Sequence, residues 1–197
     1  MWYFNYYLFK TKWKLNTIPI FKKIINFNSD EIKKKLINLK KIFITAKKNR
    51  KKILIFGNGG SAAIASHFSV DLTKNAKIRC TNYNEPDLIT CFSNDFGYER
   101  WVEMAIKYYG NKGDILIVIS SSGKSKNMIN GCVAAKKKKF AKIITLTGHS
   151  INNPVKKLGD INLWVNSKAY NYIENIHQFW LLSLVDLLIG KKNYLPK

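Results

Sequence analysis

The run Lys51–Asp71, KKILIFGNGGSAAIASHFSVD, restricts this chain more than any other stretch. Ile53, Leu54, Ile55 and Phe56 form an unbroken apolar run, the pattern of a strand buried on both faces. Gly57-Asn58-Gly59-Gly60-Ser61 follows at once, and its glycines let the backbone turn tightly and approach a ligand closely. Ser61 stands where a helix N-cap belongs, ahead of Ala62-Ala63-Ile64-Ala65. A helix start aimed out of a sheet edge attracts anions, because its free N–H groups and its dipole point the same way. The stretch predicts a phosphate-bearing ligand held at Asn58, Gly59, Gly60 and Ser61, or else an ordinary tight strand-to-helix turn.

The rest of the chain repeats the alternation. Ile32, Leu36, Leu39, Phe43 and Ala46 step by four and three, one face of an amphipathic helix that opens on Asn28-Ser29-Asp30-Glu31 and ends near the basic run Lys47–Lys52. A helix is expected from Ser61 to about Asn75, a second strand over Leu88–Phe92, and a polar loop at Ser93-Asn94-Asp95-Phe96-Gly97. A helix over Tyr98–Tyr109, a third strand over Asp114–Ile119, a helix over Lys126–Lys138, strands over Lys142–Leu146 and Ile161–Val165, and a last helix over Tyr172–Ile189 complete the pattern. Strands alternating with helices at short connections predict an α/β fold, a five-stranded parallel sheet flanked by helices in a three-layer, flavodoxin-like sandwich. Ligands of such folds bind beyond the carboxyl ends of the strands. The GNGGS, SNDFG and SSSGKS segments are all expected there.

Ser120-Ser121-Ser122-Gly123-Lys124-Ser125 forms a second anion cradle, rich in hydroxyls and opening a helix, but without the spacing of a nucleotide P-loop. His67 and Asp71 lie four apart on one helix, and Glu174 and His177 three apart on another. If the two helices meet, the four groups converge as a proton-transfer site or a metal site; if not, they are two surface pairs.

Composition sets the outer bounds. The net charge of +22 reads either as solvated lysines of a biased composition or as attraction for anions, and no nucleic-acid motif accompanies it, so a nucleic-acid partner is not expected. No apolar run is long enough to cross a membrane, and a cytoplasmic setting is expected from Cys80, Cys91 and Cys132, whose spacing fits neither zinc nor a disulfide framework. Cys91 and Cys132 are expected to be buried. Residues 1–28, which start MWYFNYYLFKTKWKL, read as an aromatic and basic arm ahead of one domain over 29–197, more at home against its own fold than as a signal peptide.

GNGGSAAIASHF, SNDFGYE, GDILIVISSSGKS, ITLTG and IENIHQ, in this order, resemble the sugar isomerase (SIS) domain family, and within it the phosphoheptose isomerases. The resemblance covers about residues 30–190 and implies a homotetramer with sites between subunits. It also implies isomerisation of a phosphorylated sugar through an enediol, on the way to surface-polysaccharide (lipopolysaccharide) precursors. It carries phosphate binding onto Ser61, Ser120, Ser121, Ser122 and Ser125, and the sugar site onto Asn58 and Asp95, with Asn94 beside it. Lys124 stands where the family usually has Asn. Asp71 replaces the family's catalytic Glu, with Glu174 and His177 as its catalytic partners here. His67, Asp71 and Glu174 form an incomplete set of zinc ligands. Leu182 replaces the second catalytic His and can neither ligate nor move a proton. That departure leaves a second reading, a non-catalytic tetramer that binds a phosphosugar or a protein.

Overall fold

The computed structural model describes residues 30–190. The expected arm over 1–28 lies outside the described residues, as do Asn28 and Ser29. The strands β1 (Ile53–Gly57), β2 (Cys80–Thr81), β3 (Ile115–Ser120), β4 (Lys142–Thr147) and β5 (Ile161–Trp164) form one parallel sheet in the order β2-β1-β3-β4-β5. The helices are α1 (Asp30–Lys48), α2 (Gly60–Lys74), α3 (Pro86–Phe96), α4 (Trp101–Tyr109), α5 (Lys126–Lys137), α6 (Pro154–Leu158) and α7 (Tyr170–Ile189).

The central strands are buried along their whole length, and alternate residues feed two cores. Ile53, Ile55, Ile115, Ile117 and Ile119 face α1, α2 and α7, while Leu54, Phe56, Leu116 and Val118 face α4, α5 and α6. Period-two geometry thus sorts a continuous apolar run into two layers. On α1 the buried residues are Ile32, Leu36, Leu39, Phe43 and Ala46, the stripe read from the sequence. At the amino end of the sheet Asp114 joins the starts of β1 and β3: its carboxylate lies 2.6 Å from Lys52 Nζ and accepts the amides of Lys52 and Asn111.

Three expectations are corrected, the burial of Cys91 among them. Leu88–Phe92 is not a strand but part of α3, and SNDFG is the last turn of that helix and its C-cap, not a loop closing a strand. Pro86 at the first helical turn and Asp87 beside it start the helix, and Leu88, Ile89 and Phe92 pack at helical spacing on the second core. The strand at that edge is the two-residue β2, paired with Ile53 and Leu54. Cys91, on α3, is exposed; Cys80 and Cys132 are buried, and burial pushes the Cys132 thiol up to about 12 and the Cys80 thiol higher still.

Candidate functional site

The strand order reverses between β1 and β3, which opens a crevice at their carboxyl ends. GNGGS follows β1 and SSSGKS follows β3, so both cradles flank that crevice. They are joined. Asn58 Nδ2 donates to Asn127 Oδ1 at 3.1 Å, and Asn127 Nδ2 donates back to Asn58 Oδ1 at 2.9 Å. Tyr98 Oη adds a 3.2 Å bond to Asn58 Oδ1 and brings the segment after α3 over the same loop. Tyr98 and Asn127 escaped the sequence reading; only an amide or phenol beside each cradle could have signalled them.

Ser61 is not the N-cap. Gly59 holds that place with φ 55°, and Ser61 is buried inside the first turn, its amide bonded to Asn58 O at 3.0 Å. In the second cradle Ser120 Oγ lies 3.4 Å from Ser125 Oγ, and the Lys124 amide donates to Ser122 Oγ at 3.3 Å. Ser121 is buried, and its hydroxyl has no protein partner. Asn94 and Asp95 are exposed on the last turn of α3, bonded to each other at 3.1 Å, and Cys91 Sγ lies 3.8 Å from the other Asp95 oxygen.

Helices α2 and α7 run side by side from the crevice. A Cβ on Gly60 would lie 2.9 Å from both Glu174 carboxylate oxygens, so only glycine lets Glu174 rest on the start of α2. A cavity of about 330 Å³ opens there, lined by Gly60, His67, Glu174 and Gln178 among others. Gln178 Nε2 lies 3.4 Å from His67 Nδ1, and His67 Nε2 lies 3.4 Å from Asp71 Oδ2. Asn75 Nδ2 closes the row on Asp71 Oδ1 at 3.2 Å. Asp71 thus stands one turn behind His67 and reaches the cavity through it. Glu174, Gln178, Leu182 and Asp186 recur every fourth residue on α7, a stripe that faces this row. Asp186 is the next carboxyl on it, pushed above the usual carboxylate range by burial and then by the charge of Asp71.

His177 does not join them. It lies fully buried under the sheet edge, where its Nε2–H donates to Thr147 O at 3.2 Å and its Nδ1 has no partner. A three-residue step turns a side chain about 60° from Glu174, a four-residue step only about 40° the other way. Those angles put His177 among the inward residues and Gln178 in the cavity. Burial pushes the imidazole down to about 4, with the Thr147 carbonyl opposing. In the unfolded chain it titrates near ~6.5. Between these values the unfolded state takes up a proton that the folded state refuses. Stability should therefore fall by about 2–3 kcal/mol as pH drops through that window, and stay level with respect to this group above it. Urea unfolding at several pH values checks this, and His177→Leu should flatten the slope, since Thr147 O keeps its bond from the Val165 amide.

A zinc site does not fit these donors. Among the described residues no three His, Cys, Asp or Glu side chains lie close enough to hold a metal ion. Both ring nitrogens of His67 already face partners, Glu174 rests on Gly60, and Leu182 offers no donor.

A parallel sheet with two linked hydroxyl- and glycine-rich turns at its switch point, beside a carboxylate–imidazole row, defines an α/β domain with a candidate ligand site at the carboxyl ends of its strands. The chain belongs to the SIS domain family, whose sequence profile matches residues 18–148. It is 40% identical over 159 residues to a phosphoheptose isomerase of Glaesserella parasuis, covering 77% of this chain and 82% of the relative. It is 35% identical over 192 residues to a phosphoheptose isomerase of Buchnera aphidicola, covering 88% and 98%. Among solved structures, a phosphoheptose isomerase from Francisella tularensis superimposes with a TM-score of 0.80 at 26% identity, covering 88% of this chain and 94% of that one. One from Neisseria gonorrhoeae gives 0.76 at 26% identity, covering 86% and 95%.

Proposed function

We propose that this chain is a sugar-phosphate isomerase of the phosphoheptose type, interconverting the ketose and aldose forms of a seven-carbon sugar phosphate such as sedoheptulose 7-phosphate. The observation that carries the reading is the linked pair of cradles with the His67–Asp71 pair and Glu174 beside them. In this reading Ser120, Ser121, Ser122, Ser125 and the amides around them hold the phosphate, and Ser61 supports the glycine turn. Asn58, Asn94 and Asp95 line the sugar. The His67–Asp71 pair acts as one unit that takes the proton from the carbon next to the carbonyl and returns it to the neighbouring carbon. Glu174 carries the proton between the two oxygens of the enediol. No atom is gained or lost, so the protein need only place groups and move protons.

The family setting extends the reading to a homotetramer in the cytoplasm that supplies surface-polysaccharide precursors, with residues 29–197 as the SIS unit and 1–28 as an arm. No helix among the described residues is long and apolar enough to cross a membrane. Leu182, at the place of the family's second catalytic histidine, favours a second reading, a phosphosugar-binding protein without turnover.

Proton NMR of the protein with sedoheptulose 7-phosphate in D2O separates them. Deuterium on the carbon next to the carbonyl, with an aldoheptose product, is the expected result. Ser125→Ala should then raise KM about 10- to 100-fold, the loss expected for one bond to a charged phosphate. Saturable binding without exchange would establish the second reading, and neither binding nor exchange would overturn both.

A further inference from the structure

At the opposite end of the sheet from the crevice, a hollow of about 200 Å³ is lined by Lys47, Arg50, Lys51, Lys77 and Arg79. Every lining residue is a cation, and the fold gathers them from three segments: the end of α1, the lead into β1 and the lead into β2. Among the described residues, none of the five pairs with a carboxylate. A cation at the end of α1 offsets the helix dipole, which accounts for Lys47 but not for the residues that the other two segments bring. Nor does a lysine-rich composition explain the cluster. The chain has only three arginines among its 34 basic residues. Arg100 is paired with Glu103, and the other two meet here. Arginine is the side chain whose planar fork fits phosphate oxygens in pairs. The cluster is also anchored. The Arg79 guanidinium donates to the Arg50 carbonyl, Lys47 Nζ donates to Ala76 O at 3.1 Å, and the Lys51 stem packs on Gly113, where an added Cβ would lie 2.9 Å from Cε. Across Lys51 lies a second hollow of about 280 Å³, walled by Ile42, Ala46, Ile115 and Ala141, with Lys41 and Lys142 also lining it.

We propose that this end of the sheet binds a nucleoside di- or triphosphate, its phosphates among the five cations and its nucleoside in the adjoining aliphatic hollow. Charge selects the phosphate chain. A single phosphate carries about two negative charges and offsets fewer than half of the five positive ones, whereas two or three adjacent phosphates come close to matching them. Shape selects the nucleoside. A basic hollow beside an aliphatic one suits a ligand with one charged end and one flat, weakly polar end, and Lys51, common to both hollows, spans the junction. A nucleic acid strand fits less well, because its charges are spread one per nucleotide while these five converge on one small hollow. The site stands apart from the two cradles, so a sugar phosphate in the crevice and a nucleotide here can be held together. Occupancy relieves the mutual repulsion of the cations, so the nucleotide should also raise the melting temperature.

Isothermal titration of the full-length chain with ATP, at about 0.1 M salt so that distant charges are screened, tests this. Saturation at one ATP per chain is expected, with inorganic triphosphate and AMP each bound at least ~10-fold more weakly, since each fills only one of the two hollows. Arg50→Asn combined with Lys77→Asn should weaken ATP binding at least ~10-fold through lost charge-assisted contacts. Both positions hold left-handed backbone, φ 55° and 56°, which asparagine adopts readily, so the double variant should keep its fold, and its melting temperature without ligand checks that. Ser125→Ala, in the crevice, should leave ATP binding unchanged. Absent or unsaturable binding would leave only diffuse attraction by a chain of charge +22. Affinity untouched by the double variant, or lost in Ser125→Ala, would place ATP elsewhere. Equal affinity for inorganic triphosphate would leave the nucleoside unrecognised, and displacement of ATP by a tighter-binding single-stranded oligonucleotide would make this a nucleic-acid surface. Each of these results overturns the proposal.

Discussion

Asp71→Asn should lower turnover of the sugar phosphate by about 10²–10⁴-fold, the usual cost of losing a general acid–base unit. The reason lies in the row Gln178–His67–Asp71–Asn75. With Gln178 Nε2 at Nδ1, the ring carries its proton on Nε2 and donates it to the Asp71 carboxylate. Nδ1 then holds the ring's lone pair at the cavity wall, where it accepts from Gln178 and takes a substrate proton only once that amide gives way. An asparagine at position 71 can turn its own N–H toward Nε2, which reverses the tautomer and leaves a proton where the lone pair is needed. The Asp71 charge also adds to burial, the larger cause, in raising the Asp186 carboxyl, which should ease part of the way back once that charge is gone. His67→Ala should cost about as much alone as together with Asp71→Asn, because the two act as one unit. Steady-state kinetics with an NMR readout checks this. Equal melting temperatures would exclude unfolding as the cause, and additive losses would show that the two groups act separately.

Gly123→Ala should produce a large loss of stability for a single added methyl. Gly123 has φ +66°, and an added Cβ would sit 2.0 Å from Asn153 Oδ1 and 2.2 Å from its Cγ. Asn153 cannot move aside cheaply. It is buried, its Nδ2 bonds Ser150 O at 2.8 Å and Thr147 Oγ1 at 3.1 Å, and its Oδ1 accepts the Lys156 amide that starts α6 at 2.9 Å. Unmaking part of that hub and forcing alanine into the left-handed region should together cost about 2–4 kcal/mol. For a chain of this length that lowers Tm by roughly 5–15 °C. KM should rise as well, because the displaced loop is the second anion cradle. Gly59→Ala is the control without a collision: φ is 55° and ψ −124°, outside the left-handed helical well, but the space around its Cβ is empty, so only the backbone cost of about 1–3 kcal/mol remains. Thermal unfolding of the two variants side by side decides whether the collision with Asn153 or the backbone angle dominates.

The parts of the fold written in periodicity were legible in the sequence. The α1 stripe and the apolar runs of β1, β3 and β4 report burial directly, since each depends on neighbouring residues alone. Leu88–Phe92 was misread because a short apolar run fits a buried strand and one face of a helix equally well. Pro86 and Asp87, which settle the matter, lie just outside it. The true β2 has two residues, too few for any pattern. At the site, both cradles stood out through their glycines and serines. What was not legible depends on contacts between distant segments. Nothing near Asn127 announces that it pairs with Asn58, 69 residues away. Gln178 and His177 are neighbours in sequence, and only the packing of α7 on the sheet decides which of them meets His67.

The reciprocal amide pair has a hereditary consequence. Each asparagine presents a donor to the other's acceptor, so neither position can drift alone: an acid or an apolar residue at one leaves the amide of the other, buried at Asn127 and half-buried at Asn58, facing nothing suitable. The two loops are therefore passed on together, although more than sixty residues of chain separate them. A chimera that imports one loop from a relative should work only when the partner amide comes with it. A lineage acquiring a new ligand would meet the same rule, keeping this lock fixed and varying the residues around it.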